Sequence, residues 1–269
     1  MAIKEEKIEI LPFMNDLNNF LEACMFARIS KNNESKLKFN KLFTEKFDYF
    51  FFHGAANTFK TFINWWESHK QDNSWIGITG SWRTFNQNVI DDISTIVREI
   101  INNKFGVLTG GALGVDYIAN EIVLREGDPE SQLRIVLPIN RYDYIRRLKE
   151  ASRSEEIINI SQLGAMARQI NYIDGNFKKV IFDESSFDSE KFLENSNYRQ
   201  DCYFFRNNLI GYVCDGLVPF WVNDSLGVGD TVEFVEFLRK PVFKLDYFKY
   251  NIDEKGKDVI EDYSKLRIP

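Results

Sequence analysis

Trp75-Ile-Gly-Ile-Thr-Gly-Ser-Trp-Arg83 reads as a short apolar strand, Trp75 to Thr79, that ends in a glycine turn. Val89 to Ile101 then carries Val89, Ile93, Ile96, Val97 and Ile100 at helical spacing. The unit repeats at once. Phe105-Gly-Val-Leu-Thr109 is a second strand, Gly110-Gly111-Ala112-Leu113-Gly114 a second turn, and Val115 to Arg125 a second helix. Arg134-Ile-Val-Leu-Pro138 supplies a third strand. Successive strand, turn and helix units with short loops predict an α/β Rossmann-like, doubly wound, mostly parallel sheet covered by helices.

Outward from this core, residues 140–200 break the rhythm with Arg- and Glu-rich helical sequence (Tyr144 to Glu156, Ser161 to Ile173) and a short apolar Val180-Ile-Phe182. They are predicted to form an insertion at the mouth of the sheet. Regular order returns with a helix over Arg206 to Val213 and a strand over Gly216-Leu-Val-Pro-Phe-Trp-Val222. A loop over Asn223 to Asp230, a helix over Thr231 to Leu238 and a last strand over Pro241 to Leu245 follow. The α/β domain is therefore expected over 73–250, with a charged and peripheral tail over 251–269. Residues 1–72 form a helical N-terminal extension, because Phe13, Leu17, Phe20, Leu21 and Cys24 recur on one helix face. Its aromatic stretch, Phe47 to Phe52 and then Phe59, Phe62, Ile63, Trp65 and Trp66, must pack against something: the following domain, a second subunit, or stacked bases.

Composition narrows the function classes. The 269 residues are 44% hydrophobic, enough for a core, and the formal charge is −6. An acidic balance argues against a chain whose main work is gripping nucleic acid, while leaving a local basic patch open. Three scattered cysteines and two histidines, His53 and His69, supply neither a disulfide framework nor a four-ligand zinc site. No apolar run approaches the roughly 20 residues of a membrane span, so a cytoplasmic protein without membrane partners is expected.

Three glycine-rich turns carry the chemistry. A turn between a strand's carboxyl end and a helix's amino end gathers unpaired N–H groups and the positive helix dipole, which suits a phosphate. Gly80-Ser81-Trp82-Arg83, Gly110-Gly111-Ala112-Leu113-Gly114-Val115-Asp116 and Ser225-Leu226-Gly227-Val228-Gly229-Asp230-Thr231 are such turns, and in a doubly wound sheet they converge on one crevice. Arg83 stands where a guanidinium takes a phosphate in a fork or makes a surface ion pair. Asp116, in the first turn of its helix, caps free amides or accepts from a ribose. Arg206 and Asn207 open a helix before the strand at 216–222, and Trp82 and Trp221 offer ring faces to a base or belong to the core. Asp224 and Asp230 are placed to take part in a Mg²⁺-bridged phosphate site, although loop carboxylates more often serve turns and caps.

In order and spacing, Gly77 to Arg83, Leu108 to Asp116 with Ala119, Arg206-Asn207, Val218 to Val222, Ser225 to Thr231 and Lys240-Pro-Val242 together resemble the SLOG superfamily. That group includes DNA-processing protein A, the LOG phosphoribohydrolases, molybdenum-cofactor carrier proteins and YspA-like proteins. The resemblance covers roughly 76–245. It implies a Rossmann-like sheet that binds nucleotides or nucleotide-derived molecules, with N-glycosidic cleavage in some members and a tendency to homo-oligomers. An Arg-Asn pair at Arg206-Asn207 resembles a ligand-contacting element of the YspA-like branch. The LOG hydrolases carry a catalytic glutamate three positions after the threonine matched by Thr231, where this chain has Phe234 flanked by Glu233 and Glu236.

Binding of a nucleotide-derived ligand is accordingly the leading expectation. The alternative is hydrolysis of a nucleoside monophosphate-like N-glycoside, with Glu233 or Asp116 as the carboxylate. Single-stranded DNA binding comes third.

Overall fold

The computed structural model describes residues 10–29, 56–82, 86–154, 160–222 and 225–246, together with residues 263, 266 and 268. Among these described residues, six strands lie in one all-parallel sheet of order β4-β3-β2-β1-β5-β6. They are β1 (Trp75–Gly80), β2 (Gly106–Thr109), β3 (Leu133–Leu137), β4 (Ile181–Asp183), β5 (Gly216–Trp221) and β6 (Leu245–Asp246). The helices are α1 (Ile10–Ile29), α2 (Ala56–His69), α3 (Gln87–Asn102), α4 (Val115–Glu126), α5 (Pro129–Gln132), α6 (Arg141–Ser154), α7 (Ile160–Asn176), α8 (Ser189–Glu194), α9 (Ser196–Val213) and α10 (Leu226–Phe237). The α/β Rossmann-like architecture expected from the sequence is therefore present. No helix among the described residues is long and apolar enough to cross a membrane.

The sheet is buried on both faces, which is why every residue of β2 and β3 is buried rather than every second one. From β1 the chain builds strands to one side as far as β4, then crosses back to lay β5 and β6 on the other. That reversal opens a crevice beyond the carboxyl ends of β1 and β5. Asp215 fixes the register of this pair: its Oδ2 accepts from the Trp75 amide at 2.8 Å, and its own amide donates to the Trp75 carbonyl at 2.7 Å.

Two stretches differ from their sequence reading. Residues 140–200 are not simply an insertion. β4 pairs with β3, Ile135 opposite Ile181, and so continues the sheet, while α6 to α9 pack around it. A three-residue edge strand is too short to show a period. The Ser225 to Thr231 stretch is not a glycine loop either. α10 starts at Leu226, five residues before the predicted helix, and absorbs both glycines into its first turns. Glycine disfavours a helix by about 1 kcal/mol, but a side chain at Gly229 would press on the Trp221 indole at 3.2 Å, so packing sets the choice.

The N-terminal helices cover the sheet. Phe62 meets Phe182 edge-on at 4.9 Å and Trp66 meets Trp75 at 5.3 Å. Arg134, fully buried in β3, donates to the His69 carbonyl at the end of α2 and lies 4.8 Å from the Trp75 ring. The aromatics of α2 are thus cover for the chain's own sheet, which removes the argument from them for a base-stacking platform or a subunit contact. Phe47 to Phe52 lie outside the described residues.

On the other side, α1 buries Leu17, Phe20, Leu21 and Cys24. There Gly216 permits close approach: a Cβ would run into Cys24 Sγ and sit 3.1 Å from the Phe20 ring. Gly216→Ala is expected to destabilise the fold by about 1–3 kcal/mol through overpacking, and adding Cys24→Ala to recover part of that loss. Urea unfolding of the four members of the double-mutant cycle reads the coupling, and purely additive values would show that α1 does not dock there.

Candidate functional site

A cavity of about 600 Å³ opens at the crevice. Its floor is the carboxyl ends of β1 and β2, through Thr79, Gly80 and the Gly110 to Asp116 loop; α10 contributes its N-terminal turn, and α6 and α9 form the walls. The volume lies inside the range of about 300–1,000 Å³ usual for small-molecule sites.

The second glycine loop is closed on itself. Asp116 Oδ2 accepts from the amides of Gly110 at 2.9 Å and Ala112 at 3.2 Å. The Gly111 carbonyl accepts from the Tyr144 hydroxyl at 3.1 Å, and the Gly110 carbonyl accepts from Arg206 Nη1. The Gly114 amide donates to the Tyr263 hydroxyl at 2.5 Å. Gly111 and Gly114 have φ of 62° and 74°, in the left-handed region that glycine tolerates. Three amides that the sequence offered to a phosphate are therefore engaged by the protein's own oxygens. Tyr263, in the tail expected to be peripheral, is buried against this loop with its ring 4.9 Å from that of Tyr117.

Charge in the cavity comes from side chains. Arg147 of α6 and Arg199 and Arg206 of α9 line it, and among the described residues Asp116 is the one carboxylate that does. Arg206 is 7% exposed, and its buried Nε has no hydrogen-bond partner among the described residues. Burial raises the Asp116 carboxyl to about 6, while the Arg206 guanidinium and the two loop amides pull it down. The α10 N-terminus adds its dipole at Ser225 to Val228.

The structure thus gathers Gly80, Gly110, Ala112, Asp116, Arg206, Asn207, Ser225 and Gly227 around one space. Other predicted site residues fall elsewhere. Ser81 is buried, and its carbonyl accepts from the Val115 amide at 3.3 Å. Gly111 faces Ile135 and Leu137 of β3, and Gly114 lies under Ser81 and Trp82. Gly229 packs on Trp221, Asp230 is half-buried outside the cavity lining, and Thr231 bonds back to the Gly227 carbonyl at 2.8 Å. Glu233 is exposed on α10 and does not line the cavity; Phe234, at the glutamate position of the LOG hydrolases, is buried in the core. Arg83 and Asp224 lie outside the described residues. Among the described residues no group of three or more His, Cys, Asp or Glu side chains could hold a metal ion.

Sequence reading passed over Arg147, Arg199 and Tyr203. Arg199, Tyr203 and Arg206 stand at i, i+4 and i+7, one face of a helix. That signal was present, but it is visible only when the helix is extended back to Ser196.

No family model and no curated protein matches the chain. Solved structures do. A DNA processing protein A from Helicobacter pylori, described with its single-stranded DNA binding mode, is 20% identical, with a TM-score of 0.45 over 68% of this chain and 73% of that one. DNA processing protein A from Streptococcus pneumoniae is 15% identical, with a TM-score of 0.43 over 71% of this chain and 59% of that one. A molybdenum cofactor binding protein from Rippkaea orientalis is 16% identical, with a TM-score of 0.38 over 70% of this chain and 88% of that one.

The raised Asp116 carboxyl has a measurable consequence. The native state holds this proton up to about pH 6 and the unfolded chain releases it near 3.8. Between those values the native state binds more protons, so the Asp116 contribution to stability is full below the window and is lost as pH rises through it. The unfolding free energy of wild type minus that of Asp116→Asn is expected to fall from pH 4 to pH 6 and to level off above. Urea titrations at stepped pH test this, and a flat difference would show that the carboxyl titrates normally.

Proposed function

We propose that the cavity binds a nucleotide or nucleotide-derived molecule through its phosphate and holds it without cleaving it, as a sensor or carrier does. The observation that carries this reading is Arg206: a buried guanidinium facing the cavity, its Nε without a partner among the described residues, with two further arginines around the same space. A buried donor left unsatisfied costs about 1–3 kcal/mol, more when charged, and an anion in the cavity would remove that cost. Among the described residues, three lining arginines against one lining carboxylate of raised pKa favour an anion in this space, within a chain of net charge −6. Tyr203, Phe204 and Trp82 add ring surface suited to a sugar or base.

Hydrolysis receives less support. Among the described residues the one lining carboxylate, Asp116, has an oxygen fixed on two loop amides, and Glu233 is exposed outside the cavity lining. A cavity of this size walled by α6 and α9 suits a small molecule better than a strand of DNA, which needs a continuous basic groove.

A thermal-shift screen against nucleosides and nucleotides, with product analysis of every hit, tests the reading. A true ligand at a hundredfold excess over its Kd is expected to raise Tm by about 5–10 °C and to be recovered intact. Arg206→Ala should abolish the shift and Arg206→Lys should keep part of it. Free base accumulating with time would overturn holding in favour of hydrolysis, and no shift with any phosphate-bearing probe would overturn the site itself.

A further inference from the structure

Three cavity-facing residues of α9, Arg199, Tyr203 and Arg206, follow one another along a single helix face. At 1.5 Å per residue the two arginines leave the helix about 10 Å apart, with the tyrosine between them. Their guanidiniums are anchored in opposite directions. Arg206 donates to the Gly110 carbonyl in the glycine loop. Arg199 donates to the carbonyls of Phe192 at 3.0 Å and Leu193 at 2.8 Å, by the end of α8. The two charges therefore cannot collapse onto one phosphate without giving up these bonds.

The Arg206 end also holds Asn207, 3.4 Å from the Gly227 carbonyl, and with it the N-terminal turn of α10. It combines a guanidinium with a helix dipole, a complete anion subsite. The other end has Arg199, and Arg147 faces it from α6. The Arg206 guanidinium lies 5.7 Å from the Tyr203 ring. Burial raises the Tyr203 hydroxyl, and Arg206, Arg147 and Arg199 all act to lower it, so each is close to this one group. The cavity thus presents cation, ring and cation in sequence.

We propose, building on the phosphate-binding reading above, that the ligand is a small nucleotide-derived molecule with two phosphates on opposite sides of one sugar, Arg206 taking one, Arg199 the other, and Tyr203 lying against the sugar or base between. A lone phosphate leaves one guanidinium unused. A pyrophosphate puts both charges at one end. Two successive phosphates of a single strand share the chemistry with a free bisphosphate, and the limited volume of about 600 Å³ favours the free molecule.

The test is calorimetric titration of the full chain with the 5′-mono-, 5′-di- and 3′,5′-bisphosphates of the four common ribonucleosides, and with a mixed-sequence oligodeoxynucleotide ten residues long. The 5′-diphosphate and 3′,5′-bisphosphate carry the same number of phosphates, so their comparison isolates spacing. For the accepted base, the 3′,5′-bisphosphate is expected to bind at least about tenfold tighter than either other form, a factor of ten being about 1.4 kcal/mol. Arg199→Ala should remove that gain, weakening the 3′,5′-bisphosphate far more than the 5′-monophosphate, Arg199→Lys should retain much of it, and Arg206→Ala should weaken all three.

Equal affinity for mono- and bisphosphate, or a tighter 5′-diphosphate, overturns the two-phosphate ligand while leaving the phosphate site standing. Tighter binding of the oligonucleotide overturns the small-molecule ligand. Failure of every probe to bind removes the phosphate site itself.

Discussion

A buried carboxylate, Asp116, sets the shape of everything at the carboxyl edge of the sheet. Removing a charged group from water is costly, and it persists inside a protein when hydrogen bonds and a counter-charge replace its hydration. Here the replacements are the Gly110 and Ala112 amides and the neighbouring Arg206. They do not fully compensate, which is why burial still dominates its proton affinity. The same bonds fold the glycine loop back on the first turn of α4, where Gly114 stands at the N-cap position without a side-chain cap. Tyr144, Arg206 and Tyr263 then hold that loop from three other segments.

From this follows the way the cavity recognises anything. In a phosphate-cradling glycine loop the amides point at the ligand. Here three of them point at protein oxygens, so in the proposed reading recognition passes to side chains on α6 and α9 and to the first turn of α10. Side-chain recognition by spaced arginines is directional, because a planar guanidinium offers its donors in a fixed fork.

Much of the fold was legible because parallel strands buried on both faces leave short, mostly apolar runs, and β1 and β2 were each followed by a glycine turn and a 3.6-residue period. β1, β2, β3 and β5 and helices α3 and α4 were found within a residue or two of their ends. β4 was not, since three edge residues carry no periodic signal. The start of α10 was misplaced because Gly227 and Gly229 speak for a turn locally, while packing of Gly229 on Trp221 speaks for a helix.

For the site, the chain's order of motifs was enough to bring Gly80, Gly110, Asp116, Arg206, Asn207 and Ser225 to one crevice, because strand order and the rule of ligand binding at strand ends follow from connectivity. Direction was a different matter. Which way an amide, a guanidinium or a carboxylate points depends on neighbours distant in sequence: Tyr263 lies 149 residues from Gly114, and Arg206 lies 96 from Gly110. Residue types and local periods determined the sheet and the place of the cavity. Only the tertiary structure decided that the loop turns inward and that Arg199 and Arg206 face the space from either side of Tyr203, because hydrogen-bond geometry is fixed by contacts that no local pattern encodes.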